Sequence, residues 1–98
     1  MPNNISSTDF QELITAFLGL KSTKDAGNFL IDLCTPMEIK EMCERWKVAR
    51  LLAEGIPYRQ ISQLTGTSTT TVTRVARALH NGDGGYSAVL KKYKAKRK

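Results

Sequence analysis

Residues 56–79, IPYRQISQLTGTSTTTVTRVARAL, contain the pattern that decides the fold. Gly66 divides this stretch at a place where a left-handed backbone would suit a reversal of the chain. Thr67 or Ser68 can then cap a second helix, because a hydroxyl oxygen accepts from an otherwise unpaired backbone N–H. On both sides of the glycine, apolar residues recur at the spacings of three and four that are typical of a helix with one buried stripe: Ile61, Leu64, Val72, Val75, Ala76 and Leu79. The stretch therefore predicts two short helices joined by a turn, with the small side chain of Ser62 where they approach each other.

The other side of the second helix is left exposed, and it carries mostly hydroxyl and guanidinium groups. Its residues are Thr69, Thr70, Thr73, Arg74 and Arg77. Threonine is a poor choice for a helix surface, because its branched Cβ restricts its rotamers. Hydroxyls and guanidinium groups do, however, suit base edges and phosphates in the major groove of DNA. The pattern predicts a DNA-binding helix-turn-helix over residues 56–80, and the alternative is a strand or a threonine-rich helix without a partner.

The charge of the chain is unevenly distributed between its two halves. Residues 1–55 hold six Lys or Arg and eight Asp or Glu, whereas residues 56–98 hold nine Lys or Arg and a single acid, Asp83. The basic half coincides with the predicted motif, which favours a polyanionic partner whose counterions are released on binding. Six of these nine cations belong to the final KKYKAKRK, for which a merely solubilising tail is the alternative.

Length and composition limit the classes of protein further. With 98 residues, 41% of them hydrophobic, the chain fits one small domain without a membrane span or secretory signal, which favours a cytoplasmic protein with no membrane partner. Cys34 and Cys43, with His80 as the single histidine, have the spacing of neither a disulfide framework nor a metal site, so we expect buried free thiols and no metal. No catalytic residues are predicted either, because a nucleophile–base set and a phosphate-binding glycine loop are both missing.

Three further helices are predicted ahead of the motif. Thr8 can cap the first, which closes at Gly19, and the second begins near Ser22 and runs through NFLIDLC. The third starts at the capping box Thr35-Pro36-Met37-Glu38 and ends before Gly55 and Pro57. Its expected buried face consists of Ile39, Met42, Cys43, Trp46, Ala49, Leu52 and Ala53.

The segment that follows Leu79 begins with a glycine-rich break, HNGDGG. We expect a short helix from Tyr86 to about Tyr93, and final lysines without fixed structure because no apolar residue holds them. The fold class is thus all-α, with five to six short helices. Residues 1–85 are predicted to form a helical domain for DNA binding and dimerisation, and residues 86–98 a short helix with a basic tail.

Residues 29–33 are apolar on nearly every side, which a chain this short can hardly cover by itself. We therefore expect a homodimer, and the alternative is the ordinary core of a compact monomer. Twofold symmetry would place two DNA-binding helices roughly 34 Å apart, about one turn of B-DNA.

Five sequence features together make the chain resemble the tryptophan repressor family, especially its YerC/YecD group. They are LCTP, the arginine ten residues after its threonine, the R-Q-I and L-T-G of the turn, and TTTVTR, and they cover about Ile31 to Leu79. The resemblance implies an intertwined, all-helical dimer that binds operator DNA. In the founding member of the family, a bound amino acid switches this activity.

The resemblance also implies which residues would bind such an effector. Arg45 and Arg74 match two arginines that sandwich an indole, and Thr35 matches a threonine that lines the pocket. Val75 and Ala78 depart from the family, where a glycine and a serine stand. Because overfilling a packed site costs about 1 to 3 kcal/mol, we expect a small effector other than tryptophan, or none. The alternative for Arg45 is a solvated position or an ion pair with a residue such as Glu41.

For DNA, the same resemblance carries over to the predicted motif. Arg59 matches an arginine that reaches the DNA, Gln60 follows it, and Thr69, Thr70 and Thr73 fall where the family faces the groove; Arg77 could add a phosphate contact. The function predicted is a sequence-specific transcriptional regulator, most simply a repressor, on the bacterial nucleoid. The alternatives are a nonspecific or architectural nucleic-acid-binding protein and a helical module that binds another protein.

Overall fold

A computed structural model describes the backbone of residues 4–97 and the side chains of residues 4–94. Within that range the chain forms six helices and no strand: α1 (Ser7–Leu18), α2 (Thr23–Leu33), α3 (Pro36–Ala53), α4 (Tyr58–Thr65), α5 (Thr69–Asn81) and α6 (Gly85–Arg97). The predicted all-α class is confirmed. Among the residues described, no helix is both long and apolar enough to cross a membrane.

Side-chain oxygens cap the starts of four helices. Ser6, Ser22 and Ser68 each accept from the backbone N–H three residues further on, at 3.0 to 3.1 Å. At the start of α3 the predicted capping box is present: the Thr35 N–H donates to Glu38 Oε1 at 2.8 Å, and the Glu38 N–H donates to Thr35 Oγ1 at 3.2 Å. The prediction of Thr8 as the cap of α1 was wrong, because α1 starts at Ser7 and Thr8 lies inside its first turn.

The turn between α4 and α5 has the geometry that the sequence predicts. Gly66 adopts a left-handed backbone with φ of 73°, and its N–H donates to the Ser62 carbonyl at 2.9 Å. The Ser62 hydroxyl donates to the Thr67 carbonyl, which ties the turn to the helix before it. Ser68 rather than Thr67 then caps α5. Two helices therefore follow each other across a turn of three residues.

The chain divides into two compact units, Met1–Ile39 and Lys40–Lys98, with the boundary inside α3. In the first unit, the rings of Phe17 and Phe29 pack edge to face at 5.4 Å. None of the described side chains of this unit, residues 4–39, is fully buried, and Leu18 and Ile31 are 78% and 66% exposed. The sequence analysis divided the chain after residue 85, between a domain for DNA binding and dimerisation and a basic C-terminal segment. That division concerns function and not the packing of compact units, and it stays a prediction.

The second unit contains the core. Val48 and Ala49 from α3, Ile61 from α4, and Val72 and Val75 from α5 form one buried cluster. The partly buried side chains packed around it are Trp46, Leu51, Leu52, Ile56 and Tyr86. The core thus joins α5 to both α3 and α4.

Three residues that the sequence analysis expected to be buried are not fully buried. Leu64 is 56% exposed, because the eight-residue α4 contributes only Ile61 to the fully buried cluster. Cys43 is exposed and Cys34 is half-buried, although both thiols are free as expected. Conversely, Val48 is completely buried although it lies outside the predicted stripe of α3. Helical spacing alone defines that stripe, whereas the face that α3 buries depends on where α4 and α5 pack.

The expectation for the C-terminal segment was also wrong in part. Instead of ending near Tyr93, α6 continues to Arg97 through the lysines, and Lys98 lies outside the described backbone. Leu90 is buried, and the Tyr93 ring packs edge to face on Trp46 with centroids 5.8 Å apart. These tertiary contacts hold the predicted part of α6, and the helix continues from there through the lysines that were expected to lack fixed structure.

The contrast between Ile61 and Leu64 gives a matched test of the core. We expect Ile61→Ala to lower the free energy of unfolding by about 3 kcal/mol, because it removes a fully buried side chain and leaves a cavity. Leu64→Ala, which shortens an aliphatic side chain of the same helix, should cost less than about 1 kcal/mol. Urea unfolding of both variants measures the difference, and similar losses would contradict the arrangement of α4.

Candidate nucleic-acid interface

The exposed face of α5 forms because its opposite face is buried. Val72, Val75 and Ala76 point into the core, so the residues between them are turned outward. The outward side chains are all exposed and together line one shallow cavity of about 340 Å³: Thr69, Thr70, Thr73, Arg74 and Arg77. The structure thus brings together four of the six predicted DNA-binding residues, and adds Arg74 from the predicted effector set.

The hydroxyl of Thr73 has a defined hydrogen-bonding state. Its Oγ1 donates to the Thr69 carbonyl one turn earlier, at 2.9 Å. Because the single hydroxyl proton is used there, Thr73 offers an external partner its oxygen lone pairs and its methyl group. These suit a base amino group or the methyl group of thymine in the major groove.

The other two predicted DNA-binding residues, Arg59 and Gln60, lie in the first turn of α4. Both side chains are exposed, and neither lines the cavity on α5. Pro57 precedes this turn and provides no side-chain cap for the backbone N–H groups of α4. Arg59 therefore stands beside a helix N-terminus with uncapped donors, a combination that favours a phosphate or another anion.

The two arginines of the predicted effector set line a second, more polar cavity of about 320 Å³. Arg45 comes from α3 and Arg74 from α5, and the remaining lining residues are Glu41, Glu44, Gly66, Thr67, Ser68 and Thr71. Glu41 lies 3.8 Å from Arg45, the ion pair that is the alternative explanation for this arginine. With side chains 41% and 55% exposed, such a pair contributes little to stability.

Thr67 was not predicted as a residue of this cavity. Its side chain is 7% exposed, and its buried Oγ1 has no hydrogen-bond partner among the described residues. No spacing in the sequence singles it out, because a threonine in a turn is ordinarily a capping or solvated residue.

The other predicted effector residues do not share that cavity. Val75 is 1% exposed and belongs to the core cluster. Ala78 lines a third cavity, of about 510 Å³, with Trp46, Tyr86 and Val89 among its walls. Thr35 is the capping residue of α3, a structural role that accounts for it without a ligand. Within the unit Lys40–Lys98, Val75 and Ala78 therefore lie outside the cavity of Arg45 and Arg74, and the effector role of these residues stays a prediction.

One face of α5 packs into the core, and the opposite face presents threonine and arginine side chains to the outside. An all-helical chain with this arrangement has the architecture of a DNA-binding regulator. Residues 8–94 match the family model described as Trp repressor protein. The chain belongs to the Trp repressor family, a family of DNA-binding regulators. The resemblance seen over about Ile31 to Leu79 is thereby confirmed over most of the chain.

Individual relatives agree with this assignment. The chain is 36% identical over 92 residues to the uncharacterized protein YerC of Bacillus subtilis strain 168, covering 94% of this chain and 88% of YerC. A TrpR-like protein from Eubacterium eligens ATCC 27750 superposes with a TM-score of 0.86 at 35% identity, covering 95% and 96% of the two chains. A candidate Trp repressor from Staphylococcus aureus gives 0.84 at 34% identity, with 91% and 89% covered.

Proposed function

We propose that this protein is a homodimeric, sequence-specific repressor of transcription that uses α5 as its recognition helix in the major groove. The observation that carries this proposal is the outward face of α5, where threonines and two arginines are exposed on a helix held by its buried side. Bound at a promoter on the nucleoid, such a dimer would block transcription.

The chemistry of that face supports sequence-specific contacts. Thr69, Thr70 and Thr73 provide short side chains that allow the helix backbone to approach base edges closely. Arg77 adds a cation on the same face, and Arg59 lies beside the uncapped start of α4. Phosphate contacts from these arginines would orient the protein on the duplex, whereas the threonines would discriminate between bases.

The exposed apolar side chains of residues 4–39 support a homodimer. Leu18, Ile31 and Met37 are each more than 60% exposed in the single chain. Large exposed apolar groups of this kind mark surfaces that a partner covers. A second copy of the chain is the partner that would also supply the twofold symmetry of a palindromic DNA site.

For the effector, the packing of Val75 supports control by a molecule other than tryptophan, or no effector control at all. Its isopropyl group occupies core space, and the nearby cavity between Arg45 and Arg74 contains two carboxylates, Glu41 and Glu44. These carboxylates make the cavity poorly suited to an indole, because an apolar ring buried against them would leave them desolvated.

In vitro selection of bound duplexes from a random pool tests the central proposal. A palindrome whose half-sites are one helical turn apart, roughly 34 Å, is the expected result. A pool without enrichment would contradict sequence-specific binding and favour a nonspecific nucleic-acid-binding protein.

Substitutions on the two helices test the assigned contacts. We expect Thr73→Ala to weaken binding to the selected duplex by about 1 to 3 kcal/mol, with a smaller loss on a random duplex. Arg59→Ala should weaken binding to both duplexes alike, because a phosphate contact is the same in every sequence. Thr15→Ala is the matched control, because Thr15 is also exposed on a helix and donates to a carbonyl one turn earlier at 2.9 Å. Fluorescence anisotropy measures both duplexes. Equal losses on the two for Thr73→Ala would refute its role in base recognition, and a loss confined to the selected duplex for Arg59→Ala would refute its phosphate contact.

Calorimetric titration with tryptophan tests the effector proposal. We expect no measurable binding to the unmodified protein. The cavity between Arg45 and Arg74 presents two carboxylates to the indole, and admitting a ring into the packed core at Val75 would cost about 1 to 3 kcal/mol. Micromolar affinity for tryptophan would overturn this part of the proposal.

A further inference from the structure

The C-terminal helix α6 carries a charge that the recognition motif does not account for. Residues 91–98 contain six Lys or Arg and no acid. The side chains of Lys91, Lys92 and Lys94 are exposed, and none has an ion-pair partner among residues 4–94. Unpaired cations on a fixed element are available to an external polyanion.

These cations are held on an anchored helix. The Arg50 Nη1 donates to Tyr93 Oη at 3.4 Å, and the guanidinium carbon lies 5.7 Å from the Tyr93 ring and 6.0 Å from the Trp46 ring. Tyr93 also packs on Trp46, and Leu90 is buried one turn earlier. One side of α6 thus packs against α3, and the lysines around Tyr93 keep a defined position.

The helix macrodipole does not explain all of this charge. Cations within the last turn of a helix are favourable because they lie near its negative end. Lys94 fits that explanation, since α6 ends at Arg97. Lys91 and Lys92 lie more than one turn before that end, where the dipole effect has faded.

The connection to the recognition helix keeps the start of α6 close to the end of α5. Only residues 82–84 separate the end of α5 from the start of α6, so the two ends are at most about 14 Å apart. A side chain at Gly82 would collide with the Ala78 carbonyl, and Gly84 has a left-handed φ of 85°. The link is therefore short and closely folded, and α6 belongs to the same compact unit as the recognition helix.

We propose that α6 is a second DNA-binding element, which contacts the phosphate backbone beside the groove occupied by α5 through Lys91, Lys92 and Lys94. This assignment rests on the proposed function for the identity of the polyanion. Since phosphates are the same in every sequence, α6 adds affinity without adding discrimination. Its fixed helical form lowers the ordering cost that a disordered lysine tail would incur on binding.

The test compares two triple variants that remove the same charge. In one, Lys91, Lys92 and Lys94 are each replaced by Gln; in the control, the exposed Lys21, Lys24 and Lys40 are replaced. Glutamine is nearly as good a helix former as lysine, so α6 is retained, and circular dichroism verifies this. A third variant with Arg at positions 91, 92 and 94 keeps the charge.

Affinity is measured against salt concentration on the selected duplex and on a random one. The α6 Gln variant should lower the slope of log K against log salt by about 0.9 for each phosphate that α6 no longer neutralises, equally on both duplexes. The control and the Arg variant should keep the original slope. An unchanged slope in the α6 variant, an equal change in the control, or a reduction confined to the selected duplex would each overturn the proposal.

Failure of this inference is distinguishable from failure of the proposed function. The random duplex reports on α6 even when selection enriches no site, so a lower slope there would support α6 while sequence-specific recognition fails. Conversely, an enriched palindrome with an unchanged slope in the α6 variant would support the recognition helix and overturn the role of α6.

Discussion

The packing of α5 against α3 and α4 is the interaction on which the rest of the structure depends. A thirteen-residue helix rich in threonine is marginal by itself, because helices of this length need tertiary contacts. Burial of Val72 and Val75 supplies these contacts, at about 1.5 to 3 kcal/mol for each side chain. The same burial turns Thr69, Thr73 and the neighbouring polar residues outward, so the core determines which groups a DNA groove can meet.

Close packing also connects this surface with the question of an effector. Val75 contributes to the core that positions α5, and its side chain has no freedom to make room for a ligand. The cavity between Arg45 and Arg74 is polar instead, and Glu41 and Glu44 border it. Arg74 and Val75, neighbours in α5, thus face the polar cavity and the core respectively.

Much of the local structure could be predicted because its causes lie within a few residues. The capping box of Thr35 and Glu38, the left-handed Gly66 and the cap of Ser68 are interactions between groups three or four positions apart. The spacing of Val72, Val75 and Ala76 likewise determined which face of α5 is buried, and so identified the threonines opposite them. Such signals are local, and competing contacts did not override them.

What the sequence by itself determined is therefore the helices, the Gly66 turn and the outward face of α5. The tertiary structure alone decided that α6 extends to Arg97, that Val48 is buried and Leu64 exposed, and that Ala78 is separated from the cavity of Arg45 and Arg74. The physical reason is distance along the chain: Arg50 and Tyr93, whose contact holds α6, are 43 residues apart. Periodicity shows that a helix has a face to bury, but the element that covers it is determined by residues far away in the sequence.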